Sequence, residues 1–171
     1  MESKSEVWQR GPLENIPTIL QPVAHALLQA REELDFIMKD FPENLLWERP
    51  AGVASPAFHL QHLRGVLDRL FTYAKNKSLT REQLSALSAE GNKEKFNGNV
   101  SELINLFNQQ VDISINDLRN ANTNELTDIR FVGRKKIPST LMGLYIHSAE
   151  HTMRHIGQLL VTVKLLKAGS S

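Results

Sequence analysis

The sequence predicts an all-α fold: a four-helix bundle with a long crossover that carries a short extra helix. Three observations lead there. Proline and glycine punctuate the 171 residues so as to leave four long helical stretches. Within those stretches apolar residues recur at spacings of three and four, the helical period. No segment beyond "DIRFVG" alternates convincingly as a strand would. A chain of this length can bury a sizeable core as one domain, and a single domain over 1–171 is expected.

The first helix is expected from Asn15 to Asp40, closing where Pro42, Pro50 and Gly52 break continuity. The second opens with Ser55 as N-cap and Pro56 at the first helical position, and carries Leu60, Leu63, Leu67, Leu70 and Ala74 on one face. "TREQLSALSAEGN" reads as a short helix within a crossover of about residues 78–98, with Thr80 and Gln83 as a capping box and Gly91 as its stop. The third long helix starts at Asn99, supported by Glu102, and runs through Leu103, Leu106, Phe107, Ile113 and Leu118 to about Asn120. "RFVGRKKIPS" forms a loop or small hairpin turning at Gly133. Pro138 is expected to initiate the fourth helix, which runs to Lys167 and stops at Gly169.

Composition narrows the function. Hydrophobic residues at 41% and charged residues at 23% are ordinary for a globular protein. The 20 basic and 19 acidic residues cancel to +1, so no basic surface is available for a phosphate backbone and nucleic acid is excluded as an expected partner. "MESKSEVWQRGPLENIP" has no apolar core of signal-peptide length, and no run approaches the roughly 20 apolar residues that span a bilayer. No membrane contact and a cytoplasmic location are expected. Cysteine is absent, which removes disulfides, a cysteine nucleophile and thiolate ligands, so any metal must be held by nitrogen and oxygen.

"HSAEHTMRHIGQLL", residues 147–160, places His147, His151 and His155 four apart. On a helix each such step turns about 40° and climbs about 6 Å, so neighbouring imidazoles can converge. His59 and His62 on the second helix bring five of the six histidines into two places. Two seams run along the fourth helix. Leu141, Leu144, Ser148, His151, His155, Gln158, Thr162 and Leu165 form one that is polar in its middle, which is costly inside a bundle unless satisfied. Met142, Ile146, Ala149, Met153, Ile156, Leu160 and Val163 form another with nothing polar in it. With the second seam in the core, the histidines would line a solvated face or a subunit contact. With the first, they would meet an imidazole from the second helix in a three-histidine set like that of catalytic zinc, leaving one position open. The surplus apolar face predicts a homodimer.

"LLWERPAGVASPAFHLQHL", followed downstream by "GLYIHSAEHTMRHIGQLL", resembles the DinB-like/YfiT superfamily of four-helix bundles, described as metal-dependent hydrolases, over nearly the whole chain from Trp47 through Gln158. In that family a Trp-x-x-Pro element precedes a Ser-initiated helix with an aromatic residue four before its metal histidine. Trp47, Pro50, Ser55, Phe58 and His62 match in order, which makes His62 rather than His59 the matched ligand. The family's last helix carries histidines four apart leading into Gly-Gln, matched by His151, His155, Gly157 and Gln158, and His147 fits a histidine often found one turn earlier. Relatives often have two adjacent histidines and an arginine before Gly-Gln, whereas this chain has Arg154, His155 and Ile156.

The resemblance implies a divalent metal on His62, His151 and His155, zinc or nickel first, with iron or manganese as alternatives. It implies an enzyme acting on a small molecule, either a hydrolase or an S-transferase that borrows a low-molecular-weight thiol. The competing reading is a non-catalytic metal-binding or dimeric interaction module. His59 is a candidate proton shuttle or support for a ligand, or simply a partly buried histidine. His147 is a candidate pocket residue or structural donor. Trp47 reads as packing at the helix entry, and Glu150, adjacent to His151, points about 100° away from it. Arg130, Arg134, Lys135 and Lys136 form a basic run that could meet an anion but reads better as a solvated loop.

Overall fold

The computed structural model describes residues 5–96 and 98–169. The ends of the 1–171 span and position 97 in the crossover lie outside the described residues. Its elements are α1 (Gln21–Ile37), α2 (Pro56–Ala74), α3 (Arg81–Ala89), α4 (Val100–Arg119), β1 (Ile129–Val132), β2 (Ile137–Thr140) and α5 (Leu141–Gly169), with short 3-10 turns between them. The protein is a helical bundle with one small hairpin. α5 and α4 each pack against both α1 and α2, and α3 leans chiefly on α2.

The caps form as the sequence dictates. Ser55 Oγ accepts from the Phe58 amide at 3.2 Å, and Thr80 and Gln83 exchange side-chain-to-backbone bonds of 3.2 and 2.9 Å. Asn99 Oδ1 accepts from the Glu102 amide at 2.9 Å. α3 buries none of its residues, as suits a crossover helix.

Both boundaries of the first helix differ from expectation. The first helix starts at Gln21 rather than Asn15, after a 3-10 turn at Thr18–Leu20. Asn15 has φ of 60° and Pro17 lacks an amide donor, so no regular helix passes through them; Pro22, in the first helical turn, needs no donor. At the other end Asp40, with φ of 51°, lies outside the helix.

Pro138 does not initiate the fourth helix. It sits in β2 opposite Phe131, in a hairpin that turns through Gly133 at φ 67°. In a two-stranded sheet both strands are edges, so a residue without an amide hydrogen is tolerated. α5 begins at Leu141, where Thr140 Oγ1 accepts from the Gly143 amide at 2.9 Å. The Leu141 and Met142 amides donate to the carbonyls of Asp128 and Leu126. The first turn of α5 is thereby satisfied from the hairpin side.

The buried face of α5 is neither of the two seams read from the sequence. It comprises Leu141, Leu144, Tyr145, Ser148, Ala149, Thr152, Ile156, Leu159, Thr162 and Val163, an arc that takes part of each. Ile146 and Leu165, one from each seam, are exposed. The cause is position: a helix packed against two neighbours buries a broad arc rather than one heptad line.

Arg130 also departs from the solvated-loop reading. It is buried, donating from Nε to the Ala74 carbonyl at 3.0 Å and from Nη2 to Glu125 Oε2 at 2.7 Å, while Arg134, Lys135 and Lys136 are exposed. The guanidinium ties β1 to the end of α2. Arg130→Met is expected to destabilise the protein by about 2 kcal/mol, since it strips a charged donor from the carbonyl of the buried Ala74 and breaks the pair with the half-exposed Glu125; the midpoint of urea unfolding measures it.

Among the described residues no helix is long and apolar enough to cross a membrane.

Candidate metal centre

α2 and α5 pack side by side, and at their contact the histidines of both helices meet. His62 Nε2 lies 3.0 Å from His151 Nε2. The ring centres of His62 and His155 are 4.5 Å apart, and those of His151 and His155 are 4.6 Å apart. One ligating atom from each of His62, His151 and His155 falls within 4.8 Å of the other two. Four-residue spacing aligns the α5 pair, and the packing of α2 brings the third ring. Phe58, one turn before His62, stacks on it at 5.2 Å with planes 12° apart and restricts its rotation.

The other two histidines part company. His59 is 3% exposed, with Nδ1 3.1 Å from His155 Nδ1, so it contacts a member of the cluster from the buried side. His147 is exposed at the rim, its Nδ1 3.3 Å from Glu150 Oε2, with its ring 5.2 Å from that of His151. His147, Glu150 and His151 also bring three ligating atoms within 4.8 Å of one another, but this group shares His151 and is mostly exposed, and Glu150 also pairs with Arg154.

A residue the sequence reading passed over completes the cluster. Glu90, just beyond α3, sets its Oε2 2.7 Å from His62 Nδ1 and its Oε1 2.6 Å from Arg69 Nη1. Only Gly91, the stop beside it, carried a local signal; nothing near Glu90 in sequence marks it as a partner for a side chain 28 positions away. Trp47 is partly buried and packs on Phe96 at 6.2 Å, in line with its reading as helix-entry packing.

The bonds specify protons. Arg154 only donates, so at 2.7 Å from its Nη2 the Nδ1 of His151 accepts. His151 in its neutral form then carries hydrogen on Nε2 and donates it to His62 Nε2. That leaves the His62 hydrogen on Nδ1, directed at Glu90. One set of neutral tautomers satisfies the whole chain.

Basicity agrees. Burial, with His62 adding to it, lowers the pKa of His59 and of His151 to about 4, and Arg154 contributes further at His151. Burial again, with His62 and His151, lowers His155 to about 3. For Glu90 burial acts in the raising direction, but hydrogen bonds from His62 and Arg69 outweigh it and hold the carboxyl below its ordinary value. His151 and His155 are thus held as neutral imidazoles, the form that binds metal, and ligation through Nε2 of His151 requires its hydrogen to pass to Nδ1 as the Arg154 bond to that nitrogen opens. Zinc–nitrogen bonds of about 2.0–2.1 Å at tetrahedral angles separate ligand nitrogens by about 3.3 Å, close to the spacing of the His62–His151 pair. The donor set fits a divalent ion.

A helical bundle with imidazoles converging from two helices is the class that fold and site define. The family model of the DinB superfamily matches residues 26–159, a span that includes His59, His62, His147, His151 and His155, and the chain belongs to this superfamily. A comparison with curated proteins returns no significant match. The departure seen before Gly-Gln has a structural counterpart: Ile156 is buried, while Arg154 turns outward along the helix to bond His151.

Proposed function

We propose that this protein is a metal-dependent enzyme acting on a small molecule, with one divalent ion held by His62, His151 and His155. The observation that carries the reading is the convergence of three imidazoles from two helices, with ligating atoms within 4.8 Å and with the two on α5, His151 and His155, lowered in basicity. A bound divalent ion would supply Lewis acidity able to activate water for amide or ester hydrolysis, or a low-molecular-weight thiol for S-transfer.

The chain's own residues support the ligands. When His155 donates from Nδ1 to His59, its Nε2 is left bare for the ion. A cavity of about 560 Å³ adjoins His59 and Arg154 and is bounded by Val53, Ala54, Gly157, Val161 and Leu165, a volume suited to a small molecule. Its walls are largely apolar with a guanidinium at one side, which favours a partly apolar substrate carrying an acceptor group.

The test is elemental analysis of protein purified without an affinity tag, followed by assays on ester, amide and thiol-acceptor panels. About one equivalent of zinc, nickel, iron or manganese per chain, and turnover lost on chelation and restored by metal, are the expected results. Metal without turnover on any panel would favour the non-catalytic module. Protein that neither contains nor takes up metal would overturn the reading.

A further inference from the structure

We infer that Glu90 is a positioning residue for the metal centre: its carboxylate holds the Nδ1 proton of His62 and so keeps that ring's Nε2 bare and turned toward His151 and the ion. This rests on the metal reading above and adds a residue from the crossover, outside both ligand-bearing helices. A neutral imidazole carries one hydrogen, and which nitrogen bears it decides whether the other can ligate. At 2.7 Å the Glu90 carboxylate accepts only, so it selects the Nδ1–H form of His62. A carboxylate behind a ligating imidazole also makes it a stronger donor to metal.

The carboxylate is itself held. Arg69, two turns further along α2, bonds its other oxygen at 2.6 Å, and both side chains are largely buried. Beside it the Gly91 amide donates to Gln61 Oε1 at 2.7 Å, fastening the end of the crossover to α2.

A second observation is independent of these bonds. Gly65 lies one turn after His62, and a β-carbon there would overlap Glu90 Oε1 and Arg69 Nη1. The helix therefore lacks a side chain where the ion pair passes over it. An alanine at this position suits a helix better than glycine, and the displaced atoms are ends of flexible side chains. The substitution is thus expected to spare the fold while pushing Glu90 off His62.

The experiment measures zinc affinity at pH 7 by competition with a chromophoric chelator, on the full chain and its variants. Alongside it, nitrogen NMR of the histidine rings is recorded on metal-free protein. Glu90→Ala is expected to bind zinc about 10–100-fold more weakly, and Glu90→Gln to lose less because its amide oxygen still accepts from Nδ1. Gly65→Ala should weaken binding in the same direction and add nothing to Glu90→Ala. His62 should be Nδ1-protonated in the native chain and a mixture of tautomers in Glu90→Ala, a change that a purely structural ion pair with Arg69 would not produce. If the native chain binds zinc and both alanine variants match it, the inference fails and the metal reading stands. If the native chain binds none, the metal reading fails and takes the inference with it. Should Glu90→Ala fail to fold, Gly65→Ala decides.

Discussion

Alanine in place of His62, His151 or His155 is expected to lower divalent-metal affinity by well over tenfold in each case, measured by titration with zinc under a competing chelator. Losing a residue that merely orients a ligand costs about 10–100-fold, and a missing ligand should cost at least as much. Each of the three rings lies close to the other two, and neither His59 nor His147 belongs to that group of three. His59→Ala should cost less, because it removes only the acceptor behind His155. His147→Ala should cost least, since that ring is exposed at the rim. The assignment fails if His147→Ala abolishes binding while His62→Ala leaves it intact.

Acid should destabilise the metal-free protein over an unusual window. His59 and His151 have folded-state pKa values of about 4 and His155 of about 3, all below the value of about 6.5 expected in the unfolded chain. Above pH 6.5 both states hold these rings neutral, and their contribution to stability is fully present. As pH falls from 6.5 toward 4 the unfolded chain binds protons that the fold refuses, so stability drops. The slope is at most about 1.4 kcal/mol per pH unit for the buried His59, and smaller for His151 and His155, whose partial exposure screens their charges. The Glu90 carboxyl, depressed by its partners, adds its own loss at lower pH. Urea unfolding at steps from pH 7 to 4.5 in the presence of chelator measures the slope. A midpoint that stays constant across this range, or a slope unchanged in His155→Gln, would count against it. Metal should flatten the curve, because a ligating imidazole cannot take a proton without releasing the ion.

The site was legible in sequence to the extent that its logic is local or carried by a family pattern. His151 and His155 share a face because their spacing nearly matches the helical period. The absence of cysteine leaves only nitrogen and oxygen donors. His62 was distinguished from His59 by the order of Trp47, Pro50, Ser55 and Phe58 before it, and the structure brings His62, not His59, into the group with His151 and His155. The opposite fate of His59 and His147, one buried against His155 and the other exposed, has no signature in spacing, since both sit about one turn from a partner.

What the sequence determined by itself was therefore the set of elements whose causes lie within a few residues. The caps at Ser55, Thr80 and Asn99 fall where a side-chain oxygen meets an amide three positions on, and the helices they start follow. Tertiary structure decided whatever depended on a distant partner. Pro138 suits an edge strand as well as a helix start, and pairing with β1 settled it as strand. Arg130 looked like one charge in a basic loop until the end of α2 supplied a buried carbonyl for it to bind. The buried arc of α5 was set by contact with both α1 and α2, and periodicity alone could not rank its seams. Glu90 acquired its partner only when the crossover folded back on α2, because a hydrogen bond between residues 28 apart is set by the path of the chain between them and leaves no local pattern to read.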